Sequence, residues 1–390
     1  MITKRLVVLH TEFIALRGGE KYFYELMRRV SKKYAVSLYV ENISPYWIRQ
    51  FSRLHINVRK LWRSPCCYWM LLPIGFLINF FKVRGKIDGG TVVFATSFPL
   101  NYLAVLLSKR NIVLCSEPLS IFYDSVRIRT MSLRAKLFVT IARVLYQAFD
   151  MYAIHHTNIL ATLNVHVALY IKNTYQRSPD IYVPNGVDGR FFSPVKRRSE
   201  RNRFILLHST DYTMLKGTEL LIRSISRVMG RYSDIEVYIS ESISDAVEKE
   251  KYTSLVRLLH LEGVVRFVGT IPEKQLPSFY RSGDVYCYLG SPYCGGGSTA
   301  SLSVVEAQAC GIPVLRSLGG DGEIVDQKTG YYIHDYSEKG VARAIMRFLC
   351  LSQSKKRALS REARQHSIKE YSWNKTTNAL VRAINTLSYA

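Results

Sequence analysis

Short apolar runs alternate with amphipathic stretches along almost the whole chain. In the first half, the runs 5–10, 36–40, 91–95, 112–115 and 159–163 read as strands. They are short and nearly continuously apolar, as strands covered on both faces are. Helical patterns fill the gaps, among them 20–31 and 133–149. A polar stretch at 195–202 reads as a linker, and the rhythm restarts at 204–208. It continues through 236–239, 264–268, 285–289 and 313–315. The tail, 354–390, reads as a helix, a break near Tyr371-Ser372-Trp373, and a final helix. Such alternation predicts βαβ units and parallel sheets, with binding loops at the carboxyl ends of the strands. A chain of 390 residues is too long for one ordinary core. Two Rossmann-like α/β domains follow, 1–190 and 191–372, with 373–390 left for a terminal helix.

One run stands apart. Residues 66–81 are apolar except for interruptions at Pro73, Gly75 and Asn79, and they fall short of the roughly 20 residues needed to span a bilayer. The stretch reads either as a core helix or as an element lying on a membrane surface. Arg59, Lys60, Arg63, Lys82, Arg84 and Lys86 flank it.

Charge sharpens this picture. The formal net charge is +24, and residues 1–190 hold 26 Lys/Arg against 10 Asp/Glu. A basic half suits an anionic partner: a lipid surface, a phosphorylated substrate or nucleic acid. The stretch 127–143 repeats basic residues among apolar ones and could hold such a surface. Seven cysteines without a Cys-x-x-Cys suggest neither a disulfide framework nor a zinc site, and point to a cytoplasmic setting. The amino terminus runs directly into a strand, so no signal peptide is expected.

Three segments could carry chemistry. Gly18 and Gly19 precede a helix, where a bare backbone lets a ligand approach and the helix start offers N–H groups to an anion. Lys216-Gly217 follows a strand and opens a helix, so the ammonium could meet a phosphate. The richest segment is 291–307. Its glycines and small hydroxyl residues, including Gly297, Ser298 and Thr299, lead into an apolar helix. Ser301 could cap that helix, and the N–H groups around Leu302 would suit a diphosphate. Glu306 sits about one turn inside; an ionised carboxylate there needs partners, either ribose hydroxyls or a neighbouring lysine or backbone group.

In order, these pieces resemble the retaining glycosyltransferases of family 4, whose fold is called GT-B. Gly18-Gly19-Glu20 is similar to the family's Gly-Gly-x-Glu start, with the Glu one place early. Asn185-Gly186-Val187-Asp188, Lys216-Gly217, and the run from Val305-Glu306-Ala307 to Cys310-Gly311-Ile312-Pro313-Val314 follow in the family's order. Gly319-Gly320, Glu323-Ile324-Val325, Thr329-Gly330 and Ser372-Trp373 come after them. The resemblance implies two Rossmann-like domains facing a cleft, the first for the acceptor and the second for the donor. It implies a last helix, 373–390, that crosses back to complete the first domain.

The implied reaction is metal-independent hexosyl transfer, with retention, from a UDP- or GDP-sugar to a glycan or lipid-linked acceptor. Lys216 would stabilise the leaving diphosphate, and Gly18, Gly19, Gly217, Ser301 and Leu302 would line the donor. Glu306 would hold the ribose, Gly297–Thr299 the sugar, and Glu117 would orient the acceptor. Three positions depart from the pattern: Ser298 stands for the first glutamate of the family's pair, Asp211 for an arginine, and Ser116 for the cleft histidine. They keep open a relative that binds sugar nucleotides or glycans without transferring a sugar. A glycosyltransferase acting on DNA bases is the other alternative, although nucleic acid is not the expected partner. The protein is expected in the cytoplasm, docked peripherally on the inner membrane face if its basic surface meets anionic lipid.

Overall fold

The computed structural model describes residues 5–15, 17–129, 131–195, 203–242, 245–290, 301–318 and 322–389. The chain divides into two compact units. One comprises Met1–Ala15, Gly19–Pro184 and Thr376–Ala390, and the other Leu16–Gly18 and Asn185–Lys375.

The first unit is built on seven parallel strands: β1 (Arg5–Phe13), β2 (Ala35–Ile43), β3 (Asn57–Lys60), β4 (Val92–Ala95), β5 (Asn111–Leu114), β6 (Ile159–Thr162) and β7 (Ile181–Tyr182). Their order is β3-β2-β1-β4-β5-β6-β7. The second unit has β8 (Phe204–Thr210), β9 (Ile235–Glu241), β10 (Val265–Gly269), β11 (Val285–Tyr288), β12 (Val314–Ser317) and β13 (Gly330–Ile333), ordered β10-β9-β8-β11-β12-β13. In both, the order reverses beside the first strand, the arrangement that leaves a binding crevice at the strands' carboxyl ends.

The apolar runs explain the central strands. β4, β5, β11 and β12 are buried at every residue, because helices cover both faces of each sheet. The predicted helix beginning at 20 forms as Gly18–Val30, and the one beginning at 133 runs to His156. The tail breaks where expected, between helices Gln353–Glu370 and Trp373–Tyr389. Within the first unit, Tyr34 Oη donates to Asn385 Oδ1 at 2.8 Å, which ties the last helix to the turn before β2.

Candidate functional site

Of the predicted residues that the structure describes, the second unit gathers Lys216, Gly217, Ser301, Leu302 and Glu306 at the carboxyl ends of its strands. Just past β8, Asp211 Oδ1 accepts hydrogen bonds from the Thr213 amide (3.0 Å) and hydroxyl (2.6 Å). This turn leads through a single 3-10 turn, Met214–Lys216, to Gly217. Gly217 has φ +66°, and a Cβ there would lie 2.4 Å from the Leu289 carbonyl oxygen. Only glycine fits, for both reasons. Below the turn, buried His208 donates from Nδ1 to the Cys287 carbonyl at 2.9 Å and meets Thr218 Oγ1 at 3.1 Å through Nε2. Since the Cys287 oxygen can only accept, Nδ1 carries the proton. Burial drives the imidazole down to about 4, so His208 stays neutral.

This loop lays Lys216 against Tyr288, its Nζ 5.5 Å from the ring centroid. The Tyr288 phenol raises the ammonium's pKa, burial opposes, and Asp211 adds to the rise, so the charge is kept. On the same ring sits the Arg316 guanidinium, 5.0 Å from the centroid. Arg316 is wholly buried in β12. Its Nε and Nη2 both reach Glu323 Oε2 at 2.9 Å. Burial raises the Glu323 carboxyl and Arg316 pulls it back.

Glu323 Oε1 in turn accepts the amide of Ser301, the residue preceding helix Leu302–Ala309. Lys216 also acts on Glu323 electrostatically. Lys216, Tyr288, Arg316, Glu323 and the start of helix Leu302–Ala309 therefore form one connected cluster. A row of hydroxyls runs beside it. Tyr286 Oη donates to Ser303 Oγ at 2.8 Å, Ser303 meets Ser301 Oγ at 2.8 Å, and Ser209 meets Ser240 at 2.8 Å.

Two expectations change. Ser301 stands at the N-cap position, but its side chain makes no cap bond. Its hydroxyl is turned to Ser303, and its amide is held by Glu323 instead. Glu306 is buried, as expected, yet its Oε2 already accepts from Tyr280 Oη at 3.0 Å. Gly297, Ser298 and Thr299 lie outside the described residues.

Gly18 and Gly19 are the exposed first residues of helix Gly18–Val30. A Cβ at Gly19 would meet nothing within 4 Å. Glu117 lies in the first unit, exposed just past β5.

Sequence reasoning missed Arg316, Tyr288 and Tyr280. Arg316 carried a legible signal, because a charge inside the apolar strand Val314-Leu315-Arg316-Ser317 demands a buried counter-ion, and Glu323 follows seven residues later. A second cluster went unread in the first unit. Tyr68 Oη donates to the Glu41 carboxylate, 2.9 Å from Oε2 and 3.1 Å from Oε1. Arg63 lies 4.7 Å over the Tyr68 ring and 3.4 Å from Glu12. Burial lifts the Glu41 carboxyl to about 7. Among the described residues, no three His, Cys, Asp or Glu side chains are gathered as a metal would require.

Residues 190–366 match the family described as glycosyl transferases group 1. The D-inositol 3-phosphate glycosyltransferase of Corynebacterium kroppenstedtii is 27% identical over 209 residues, which cover 50% of this chain and 45% of that protein. The chain spans about half the length of the curated relatives it matches. Among solved structures, the sucrose-phosphate synthase of Thermosynechococcus elongatus superposes with a TM-score of 0.75 at 16% identity, covering 98% of this chain and 99% of that one. Anabaena Alr3699/HepE in complex with UDP gives 0.74 at 12%, covering 97% and 99%. The segment 190–366 thus matches the group 1 glycosyltransferases, and the two parallel sheets of this chain are those of the GT-B fold.

Proposed function

We propose that this protein is a hexosyltransferase that moves a sugar from a UDP- or GDP-sugar to a glycan or lipid-linked acceptor, with retention and without a metal. The observation that carries this reading is Lys216, an ammonium kept charged against Tyr288 at the carboxyl edge of the second sheet. The neighbouring Arg316–Glu323 pair is neutral as a unit, which leaves Lys216 as the net positive charge of the cluster.

In transfer, the bond from the anomeric carbon to the diphosphate oxygen breaks, and the acceptor oxygen bonds to the same face of that carbon. The acceptor's proton goes to the departing diphosphate. The barrier lies in charge accumulating on the leaving group, and a cation fixed at that place lowers it. Lys216 fills this role, and the backbone at Gly217 and Leu302 takes the remaining phosphate oxygens, next to Ser301, whose amide is already given to Glu323. Gly18 and Gly19 also line the donor; at Gly19 no packing demands glycine, and a bare protein backbone there lets a ligand come close. Glu306 holds the ribose, braced by Tyr280. Gly297, Ser298 and Thr299 face the sugar, and Glu117 orients the acceptor.

The HepE structure holds UDP, and the Corynebacterium relative is named for an inositol phosphate acceptor, which supports a nucleotide donor and a phosphorylated acceptor. Incubation with radiolabelled UDP- and GDP-hexoses and lipid-linked or glycan acceptors tests the reaction. Transfer should be detected with one donor, and Lys216→Ala should lower kcat by about a hundredfold or more. Wild-type turnover in that variant would remove the proposed role. Donor binding without transfer to any acceptor would favour the binding-only reading, which Ser298, Asp211 and Ser116 motivate.

A further inference from the structure

We infer that the first unit docks on an anionic lipid bilayer through one face built by helices Leu72–Arg84, Leu100–Leu107 and Leu133–His156. The inference is independent of the donor site.

Helix Leu72–Arg84 buries Leu72, Gly75, Asn79 and Val83. Its opposite stripe, at the same helical spacing, is apolar too: Ile74, Leu77, Ile78 and Phe81 are exposed. A helix apolar all round that is covered on one side only lacks a partner for the other. Helix Leu133–His156 repeats the pattern. Ala142, Tyr146, Asp150 and Ala153 face inward, while Leu137, Ile141, Val144 and Leu145 face out. Phe81 is 68% exposed and Val144 77%.

These segments, far apart in sequence, are neighbours in the fold. Tyr102 of helix Leu100–Leu107 joins them: its ring lies 5.4 Å from that of Phe76 and 5.2 Å from that of Phe149. Leu106 of the same helix is also exposed.

Charge selects the occupant. The three helices contain a single acidic residue, Asp150, which is buried and accepts from Asn101 (2.9 Å) and Tyr175 (2.7 Å). Lys82, Arg84, Arg134, Lys136 and Arg143 sit on the same helices. An exposed apolar face set among cations, with no exposed carboxylate, complements a lipid interface carrying negative headgroups. Helix Leu133–His156 is long and apolar enough to cross a membrane. Its inward side is fastened to the unit through Asp150, so it lies along the surface.

Co-sedimentation of the full chain with vesicles tests this. The protein should pellet with vesicles of phosphatidylcholine and phosphatidylglycerol and remain in solution with phosphatidylcholine alone. Raising salt from 0.1 to 1 M shortens screening from about 10 to about 3 Å and should release most of it. Phe81→Glu with Val144→Glu, both at exposed positions, should weaken partition at least about tenfold, and so should Lys136→Glu with Arg143→Glu. Each double variant should bind UDP or GDP as the wild type does, which separates this face from the donor site. Three results would overturn the inference: no pelleting at low salt, wild-type pelleting by both double variants, or a wild-type dimer that Phe81→Glu with Val144→Glu turns into a monomer. The last would make the face a contact between copies of this chain.

Discussion

Gly217 decides how Lys216 is held. Its left-handed backbone and its contact with the Leu289 carbonyl leave no room for a side chain. Gly217→Ala should therefore cost about 1–3 kcal/mol in urea unfolding and weaken donor binding together with stability. Retention of full stability would show that the loop can rearrange without loss. Arg316 and Glu323 call for a different comparison. Removing one partner strands the other charge in the core, a loss of about 3–5 kcal/mol. Arg316→Met and Glu323→Met should each destabilise strongly, and the double variant should recover much of the loss, as a thermodynamic cycle would measure. Additive losses would mean that the two groups act separately.

Buried titratable residues set the pH dependence. Burial depresses both His10 and His208 to about 4, against about 6.5 in the unfolded chain. The unfolded state then binds more protons between those values, so stability is held above pH 6.5 and lost as pH falls toward 4. Each histidine contributes about 3 kcal/mol to that loss. Glu41 runs the other way: raised to about 7, it favours the fold most below its unfolded pKa and loses that contribution as pH rises through 7. Unfolding midpoints between pH 4.5 and 6.5 should thus change less steeply with pH in His208→Asn and more steeply in Glu41→Gln. Equal slopes in all three proteins would contradict these assignments.

At the scale of elements, what the sequence disclosed depended on burial. Strands inside the sheets are built around short apolar runs, and all ten expected strands are present. The three unexpected ones are short strands near or at sheet edges. β3, Asn57-Val58-Arg59-Lys60, is polar and mostly exposed because it pairs on one side only. β7 has two residues, and β13 opens with Gly330, where a Cβ would lie 2.0 Å from the Val314 carbonyl oxygen. Lys216-Gly217 and Glu306 were legible as chemistry because charge and glycine are out of place at the mouth of an apolar α/β unit. The partners of these residues were not. Tyr288 and Tyr280 look like ordinary core aromatics until the fold brings them to a lysine and a glutamate. The side-chain cap expected of Ser301 fails for a related reason: a distant carboxylate, Glu323, takes the amide that local spacing assigns to a cap.

At the scale of the molecule, the chain leaves the first unit at Pro184 and returns to it at Thr376. Leu380 and Ile384 of the returning helix are wholly buried. Deleting 376–390 should expose the surface they cover and lower the unfolding temperature of the first unit, while a second transition belonging to Asn185–Lys375 stays in place. A single unshifted transition would mean that the helix adds nothing to either unit. The donor reading rests on the second unit and is tested there. Calorimetric titration of UDP and of GDP into the full-length wild type and Lys216→Met addresses it most directly. One nucleotide should bind the wild type, and Lys216→Met should bind it at least about tenfold more weakly with an unchanged melting temperature. Equal affinity in the two proteins, or no binding of either nucleotide to the wild type, would contradict a diphosphate site at Lys216.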